Sequence, residues 1–156
     1  MGMKVIELPD ETATRALAAR LAAIAAPGDV FALAGELGAG KTAFARAFVR
    51  ARGQGDEEVP SPTFTLVQCY ELAAATVWHF DLYRLAAADE AWELGIEDAF
   101  RDGISLIEWP ERLGALLPPR RLAITFVAGA RAEARRALIA AGPEWCARLA
   151  GISADA

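Results

Sequence analysis

The stretch Gly35 to Thr42, GELGAGKT, decides how this chain is read. It meets the pattern G-x-x-x-x-G-K-[ST], with Gly35, Gly40, Lys41 and Thr42 at the fixed positions of a phosphate-binding P-loop. VFALA (Val30 to Ala34) precedes it and reads as a buried strand. TAFARAFVRA (Thr42 to Ala51) follows, with Phe44, Ala45, Phe48 and Val49 at helical spacing. Strand, loop and helix therefore come in the order the motif requires. This chain's own residue frequencies would produce about one accidental match per thousand such chains, before that context is added.

Each position has a physical task. Gly35, Gly38 and Gly40 permit backbone with positive φ and let the main chain approach a ligand with no Cβ in the way. The N–H groups of Gly38 to Ala43, including Ala39, then form an anion cradle with the positive end of the following helix. Lys41 extends a slim charge over the β- and γ-phosphates, and the Thr42 hydroxyl is a ligand for Mg²⁺. The expected ligand is a magnesium nucleoside triphosphate, and Lys41 is one of only two lysines, the other being Lys4.

Working outward, 156 residues with 54% hydrophobic content suffice for one domain with a full core, not for two. The expectation is a single P-loop NTPase-like α/β domain over residues 1–156. It has a central, mostly parallel sheet with an antiparallel portion and flanking helices, and a frayed tail from about residue 151. A net charge of −5 without any Lys/Arg run disfavours binding nucleic acid unaided. Cys69 and Cys146 have no C-x-x-C spacing, so neither a disulfide framework nor a zinc site is expected, in keeping with a cytoplasmic protein. The start MGMKVIELPDE has acidic residues where a signal peptide would need an apolar core, no membrane span is expected, and Ile6 breaks a formal myristoylation pattern.

In chain order, Lys4 to Leu8 predicts a strand, and Asp10 or Thr12 caps a helix to about Ala26, with Leu17, Leu21 and Ile24 on one face. After the P-loop helix, Gly53 to Glu58 is a polar loop. Ser61 to Leu72 and Thr76 to Leu85 predict a β-hairpin. Ala86 to Phe100 is helical but broken at Gly95, Ile104 to Glu108 is a short strand, and Leu122 to Ala128 is another. Arg131 to Ala141 permits either helix or strand; the flanking Gly129 and Gly142 favour a strand in a hairpin. Pro143 to Ala150 predicts a terminal helix.

Hydrolysis needs groups that hold metal and orient water. Glu108 leads, because an acid at the end of a strand beside the P-loop lies near the cation held by Thr42; alternatively it caps the helix begun by Trp109 and Pro110. Asp81, also at a strand end, orients water or helps with metal, or else pairs with Arg84. Thr63 and Thr65 belong either to a loop sensing the γ-phosphate or to a plain turn capped by Ser61. His79, the only histidine, is expected on the face of Asp81, opposite Trp78 and Phe80, in a non-catalytic role. Trp109 either flanks the nucleotide or packs.

GELGAGKT, SPTFTLV, HFDLYRL and LIEWPER, in this order, resemble the TsaE (YjeE) family of bacterial ATPases, and the start Pro9 to Thr14 is similar too. The resemblance implies a Mg²⁺-dependent ATPase acting in threonylcarbamoyladenosine biosynthesis. It would work on the TsaB and TsaD proteins, which modify adenosine 37 of tRNA, and would meet tRNA only through that complex. Carried over residue by residue, Lys41 contacts phosphates, Thr42 and Glu108 bind Mg²⁺, Asp81 serves the γ-phosphate end, and Glu11 falls near the base. Ala43 stands where the family often has a second Thr that helps with the α-phosphate, and Arg131 is the counterpart of a basic residue near the late glycine.

Two other functions share these features. A small-molecule phosphotransferase would use Arg131, Arg135 and Arg136 as a lid. A nucleotide-binding switch would dock a partner with negligible turnover. A GTPase is disfavoured because the sequence has no N-K-x-D segment and no Asn at all.

Overall fold

The structure is a computed structural model that describes residues 2–36, 38–53, 66–72 and 74–152. Seven strands of the described residues form one mixed sheet: β1 (Gly2–Leu8), β2 (Val30–Ala34), β3 (Val67–Glu71), β4 (Thr76–Asp81), β5 (Ile104–Glu108), β6 (Leu122–Ala128) and β7 (Arg135–Ala141). Their spatial order is β1-β7-β6-β2-β5-β4-β3. The central strands β6, β2, β5 and β4 run parallel, whereas β3 pairs antiparallel with β4, β7 with β6, and β1 with β7. This is the expected parallel sheet with an antiparallel portion.

Among the described residues four helices flank it: α1 (Glu11–Ile24), α2 (Lys41–Arg52), α3 (Ile96–Asp102) and α4 (Pro143–Leu149). Asp10 is the cap of α1, its carboxylate accepting from Ala13 N at 2.9 Å, and the helix ends at Ile24 because Ala25 is already extended. Gly95, at φ 84°, separates a 3-10 segment (Ala88–Leu94) from α3 where the sequence shows its break. A second 3-10 segment, Pro110–Leu116, follows β5.

Alternation along the strands sends apolar side chains to both faces, and each face is covered. On one side Leu17, Leu21, Phe31, Leu33, Phe44, Phe48 and Trp145 pack α1, α2 and α4 against the sheet. On the other, Val30, Phe80, Ile96, Ile107 and Leu113 make a smaller core. Phe48 meets Phe31 edge-on at 5.1 Å, which seats α2 directly over β2. Arg52, in the last turn of α2, donates to Ala22 O at 3.1 Å and Ala25 O at 3.0 Å, satisfying carbonyls that end α1. The P-loop thus connects a strand buried on both faces to a helix fixed from two sides.

Among the described residues no helix is long and apolar enough to cross a membrane. The expected polar loop beyond Gly53, and Ser61, Thr63 and Thr65, lie outside the described residues.

Candidate active site

In open α/β sheets ligands bind beyond the carboxyl ends of the parallel strands. The P-loop, Asp81 and Glu108 belong to that end, and so does the β6–β7 turn that carries Arg131. β2 opens into the P-loop, where Gly35, Gly38 and Gly40 have φ of 138°, 78° and 114°. At Gly35 a Cβ would stand 2.7 Å from the Phe126 carbonyl oxygen, so only glycine lets the loop leave the sheet this close to β6. Gly40 is the N-cap of α2 and offers no side-chain cap, which leaves the first-turn N–H groups of that helix without intrahelical acceptors. That arrangement is an anion site in waiting.

Lys41 is 4% exposed and folds back on its own loop. Its ammonium donates to Gly35 O and, at 3.1 Å, to Glu36 O, and lies 3.8 Å from the centroid of the Trp109 ring. Burial pushes its pKa below the ordinary value; the Glu108, Glu111 and Asp81 carboxylates push the other way. Its three donors, on a flexible four-carbon stem, are thus placed where a phosphate would compete with those carbonyls.

β4 and β5 run parallel in a register that sets Asp81 beside Glu108. Both acids are buried, at 5% and 2% exposure. Thr42 Oγ1 donates to the Glu108 carboxylate, 2.9 Å from Oε1 and 3.1 Å from Oε2. Asp81 Oδ1 accepts from Tyr83 N at 3.2 Å. Glu108 is therefore turned into the site and away from the segment begun by Pro110. Trp109 adopts left-handed backbone, φ 60° and ψ 52°, a conformation that costs a bulky residue about 1–3 kcal/mol and that turns its ring over Lys41 and against Tyr83, 4.9 Å away.

A cleft of about 960 Å³ opens between the P-loop and the β6–β7 hairpin, lined by Gly35, Gly38, Ala39, Trp109, Phe126, Arg131 and Arg135 among others. A smaller pocket of about 310 Å³ adjoins it, lined by Gly40, Lys41, Thr42, Ala43, Asp81 and Glu108. Arg131 lies on the cleft wall, 3.4 Å from Glu133. Arg135 donates to Gly38 O at 3.1 Å, a contact with the loop that the sequence analysis did not assign. Arg136 points outward to Glu7 at 2.9 Å. Glu11 stands exposed in the first turn of α1, 3.5 Å from Arg15 and outside the residues lining the cleft. His79 makes the other contact that the sequence did not assign. It shares the face of Asp81 as expected, but its Nε2 lies 2.6 Å from Glu108 Oε2.

Fold and site together define a P-loop α/β protein with two buried acids at neighbouring strand ends. A family model described as "Threonylcarbamoyl adenosine biosynthesis protein TsaE" matches residues 8–137, and the chain belongs to that family. The tRNA threonylcarbamoyladenosine biosynthesis protein TsaE of Rickettsia felis is 42% identical over 112 residues, covering 72% of this chain and 66% of that protein. The protein of the same name from Bacillus subtilis is 42% identical over 120 residues, 76% of this chain and 72% of that one. Among solved structures, the crystal structure of YdiB from Bacillus subtilis matches with a TM-score of 0.75 and 30% identity, covering 96% of this chain and 95% of that chain.

Proposed function

We propose that this chain is a Mg²⁺-dependent ATPase of the cytoplasm that supports threonylcarbamoyl transfer to adenosine 37 of tRNA by a TsaB–TsaD complex. The observation that carries the catalytic part is the Thr42–Glu108 contact of 2.9 Å beside the P-loop lysine. The pathway and partners rest on the family and on the names of the relatives.

The donor set fits magnesium. A hydroxyl and a carboxylate in contact, with a second buried carboxylate on the adjoining strand, offer the hard oxygen ligands this ion takes while it keeps several waters. When bound, the ion supplies Lewis-acid neutralisation of charge on the phosphates. The rest falls to the chain. The amides of Gly38 to Ala43 hold the phosphates, and the Lys41 ammonium exchanges the Gly35 and Glu36 carbonyls for phosphate oxygens. Thr42 and Glu108 hold the cation, and Asp81 orients the attacking water at the γ-phosphate end. The cleft lined by Ala39 and Arg131 takes the remainder of the nucleotide, with Glu11 on the side of the base by the family pattern. With Ala43 instead of a second threonine, the α-phosphate is met by the main chain alone.

The test is phosphate release from ATP with and without TsaB and TsaD of the same organism. Lys41→Ala, Asp81→Ala and Glu108→Ala should each lower the rate by about 100-fold or more, the scale for losing one preorganised charge-stabilising group. Retention of wild-type complex-dependent rates by both acid variants would refute their assignment. Arg131 and Arg135 on the cleft wall also suit a phosphotransferase. Transfer of the γ-phosphate to a metabolite, with none to water, would establish that reading instead.

A further inference from the structure

His79 has a side chain with no exposure at all, on the sheet face that carries Asp81 and Glu108. Val77, two residues earlier on the same face, is equally buried and apolar. A histidine placed there only to fill space would be a poor choice: its Nδ1 is buried with no hydrogen-bond partner among the described residues, a cost a leucine would not incur. What the imidazole does have is one short bond, 2.6 Å from Nε2 to Glu108 Oε2. Thr42 Oγ1 approaches the same carboxylate from the other side, nearer to Oε1 at 2.9 Å than to Oε2 at 3.1 Å. The two oxygens of Glu108 are thereby distinguished.

We propose that His79 is a positioning residue for Glu108: by engaging Oε2 from beneath, it keeps Oε1 directed at Thr42 and the cation site. This rests on the reading that Thr42 and Glu108 hold Mg²⁺. When Thr42 turns its oxygen to a cation, Glu108 loses that hydroxyl donor, and His79 is the partner that keeps the carboxylate from rotating. The order of the strands makes the contact. β4 lies beside β5 in parallel register, so a residue two positions before Asp81 sits one pleat below Glu108, within reach of its outer oxygen and away from the phosphates. His79 therefore acts on metal affinity through Glu108 and does not touch nucleotide.

The experiment is calorimetric titration of the full chain with a non-hydrolysable ATP analogue over a series of Mg²⁺ concentrations and in excess EDTA. It compares wild type with His79→Leu, His79→Gln, His79→Asn and Glu108→Gln. His79→Leu should raise the Mg²⁺ concentration for half-maximal enhancement of binding by about 10- to 100-fold, the range found when partners that orient metal ligands are removed. Affinity in EDTA should stay near wild type. The Gln amide reaches about as far as Nε2 and should restore the wild-type Mg²⁺ dependence; the shorter Asn should not. A fold defect alone would move the Mg²⁺ and EDTA titrations together and would not be rescued by Gln. If Glu108→Gln shifts the Mg²⁺ requirement and His79→Leu does not, the inference is overturned while the metal reading stands. If Glu108→Gln leaves it unshifted, the metal reading fails and the inference with it. Should His79→Leu not fold, equal behaviour of the Gln and Asn variants overturns the proposal.

Discussion

Gly35→Ala tests the account of how the P-loop leaves the sheet. Gly35 has φ 138°, and a Cβ there would lie 2.7 Å from the Phe126 carbonyl oxygen. The backbone conformation alone costs a non-glycine residue about 1–3 kcal/mol. The contact adds to it, because the oxygen belongs to β6, which is held against β7 with Phe126 opposite Ala137, while the Phe126 ring packs 5.7 Å from Phe44. Neither neighbour can yield cheaply, and forced overpacking costs about 1–3 kcal/mol more. The expected loss is about 2–6 kcal/mol, a large share of the roughly 5–15 kcal/mol that holds a typical domain folded. Gly38→Ala is the internal control. Its φ of 78° is also left-handed, but nothing stands within 4 Å of the added methyl, so the loss should be limited to about 1–2 kcal/mol. Urea unfolding followed by tryptophan fluorescence gives both numbers. Equal losses for the two variants would refute the argument, since the Phe126 carbonyl would then play no part.

Other perturbations report on the scaffold. Phe48→Ala, at a fully buried ring 5.1 Å from Phe31, should cost about 3–5 kcal/mol by urea unfolding, because neither the sheet nor α2 can collapse into the space. Asp29→Ala removes a carboxylate that receives Arg148 at 2.5 and 3.0 Å and Ala26 N at 2.7 Å. With Arg148 one third exposed, a loss of about 1–2 kcal/mol is expected, and faster hydrogen exchange in α4 should accompany it. Asp10→Ala deletes the cap of α1 and should lower the unfolding free energy by about 0.5–2 kcal/mol. Iodoacetamide labelling of Cys69 should be slow near neutral pH relative to the urea-unfolded chain and speed up as pH rises. The residue is exposed, but partial desolvation of its thiol foremost, and Glu71 after it, raise the pKa, and only the thiolate reacts.

Much of this was legible beforehand because the informative features are local. A proline- and glycine-punctuated chain with apolar runs of strand length marks β1, β2, β5 and β6 within a residue or two, and of the two cap candidates, Asp10 and Thr12, Asp10 is the one that starts α1. Arg131 to Ala141 was harder. Alternating burial from Arg135 to Ala141 exists because β7 is sandwiched between β6 and β1, partners more than a hundred residues apart in sequence at one edge. Alanine and arginine tolerate helix and strand alike, so only those partners decide. Residues 129 to 134 form the hairpin turn, which brings Arg135 to Gly38 O and sets Arg131 on the cleft wall. The side of Arg135 and the contrary side of Arg136, toward Glu7, follow from the pleat once the register is known.

The sequence alone determined the strand, the glycine-rich loop and the helix behind it, and the two acids at strand ends, because glycine punctuation and apolar spacing are local signals. Tertiary structure decided which of these side chains touch. Thr42, His79 and Glu108 come from three separate segments, and their contacts depend on β4 lying beside β5 and β5 beside β2 in parallel register. A one-residue slip would send Glu108 to the opposite face of the sheet. Nothing in the linear order encodes that register; the burial of both sheet faces enforces it.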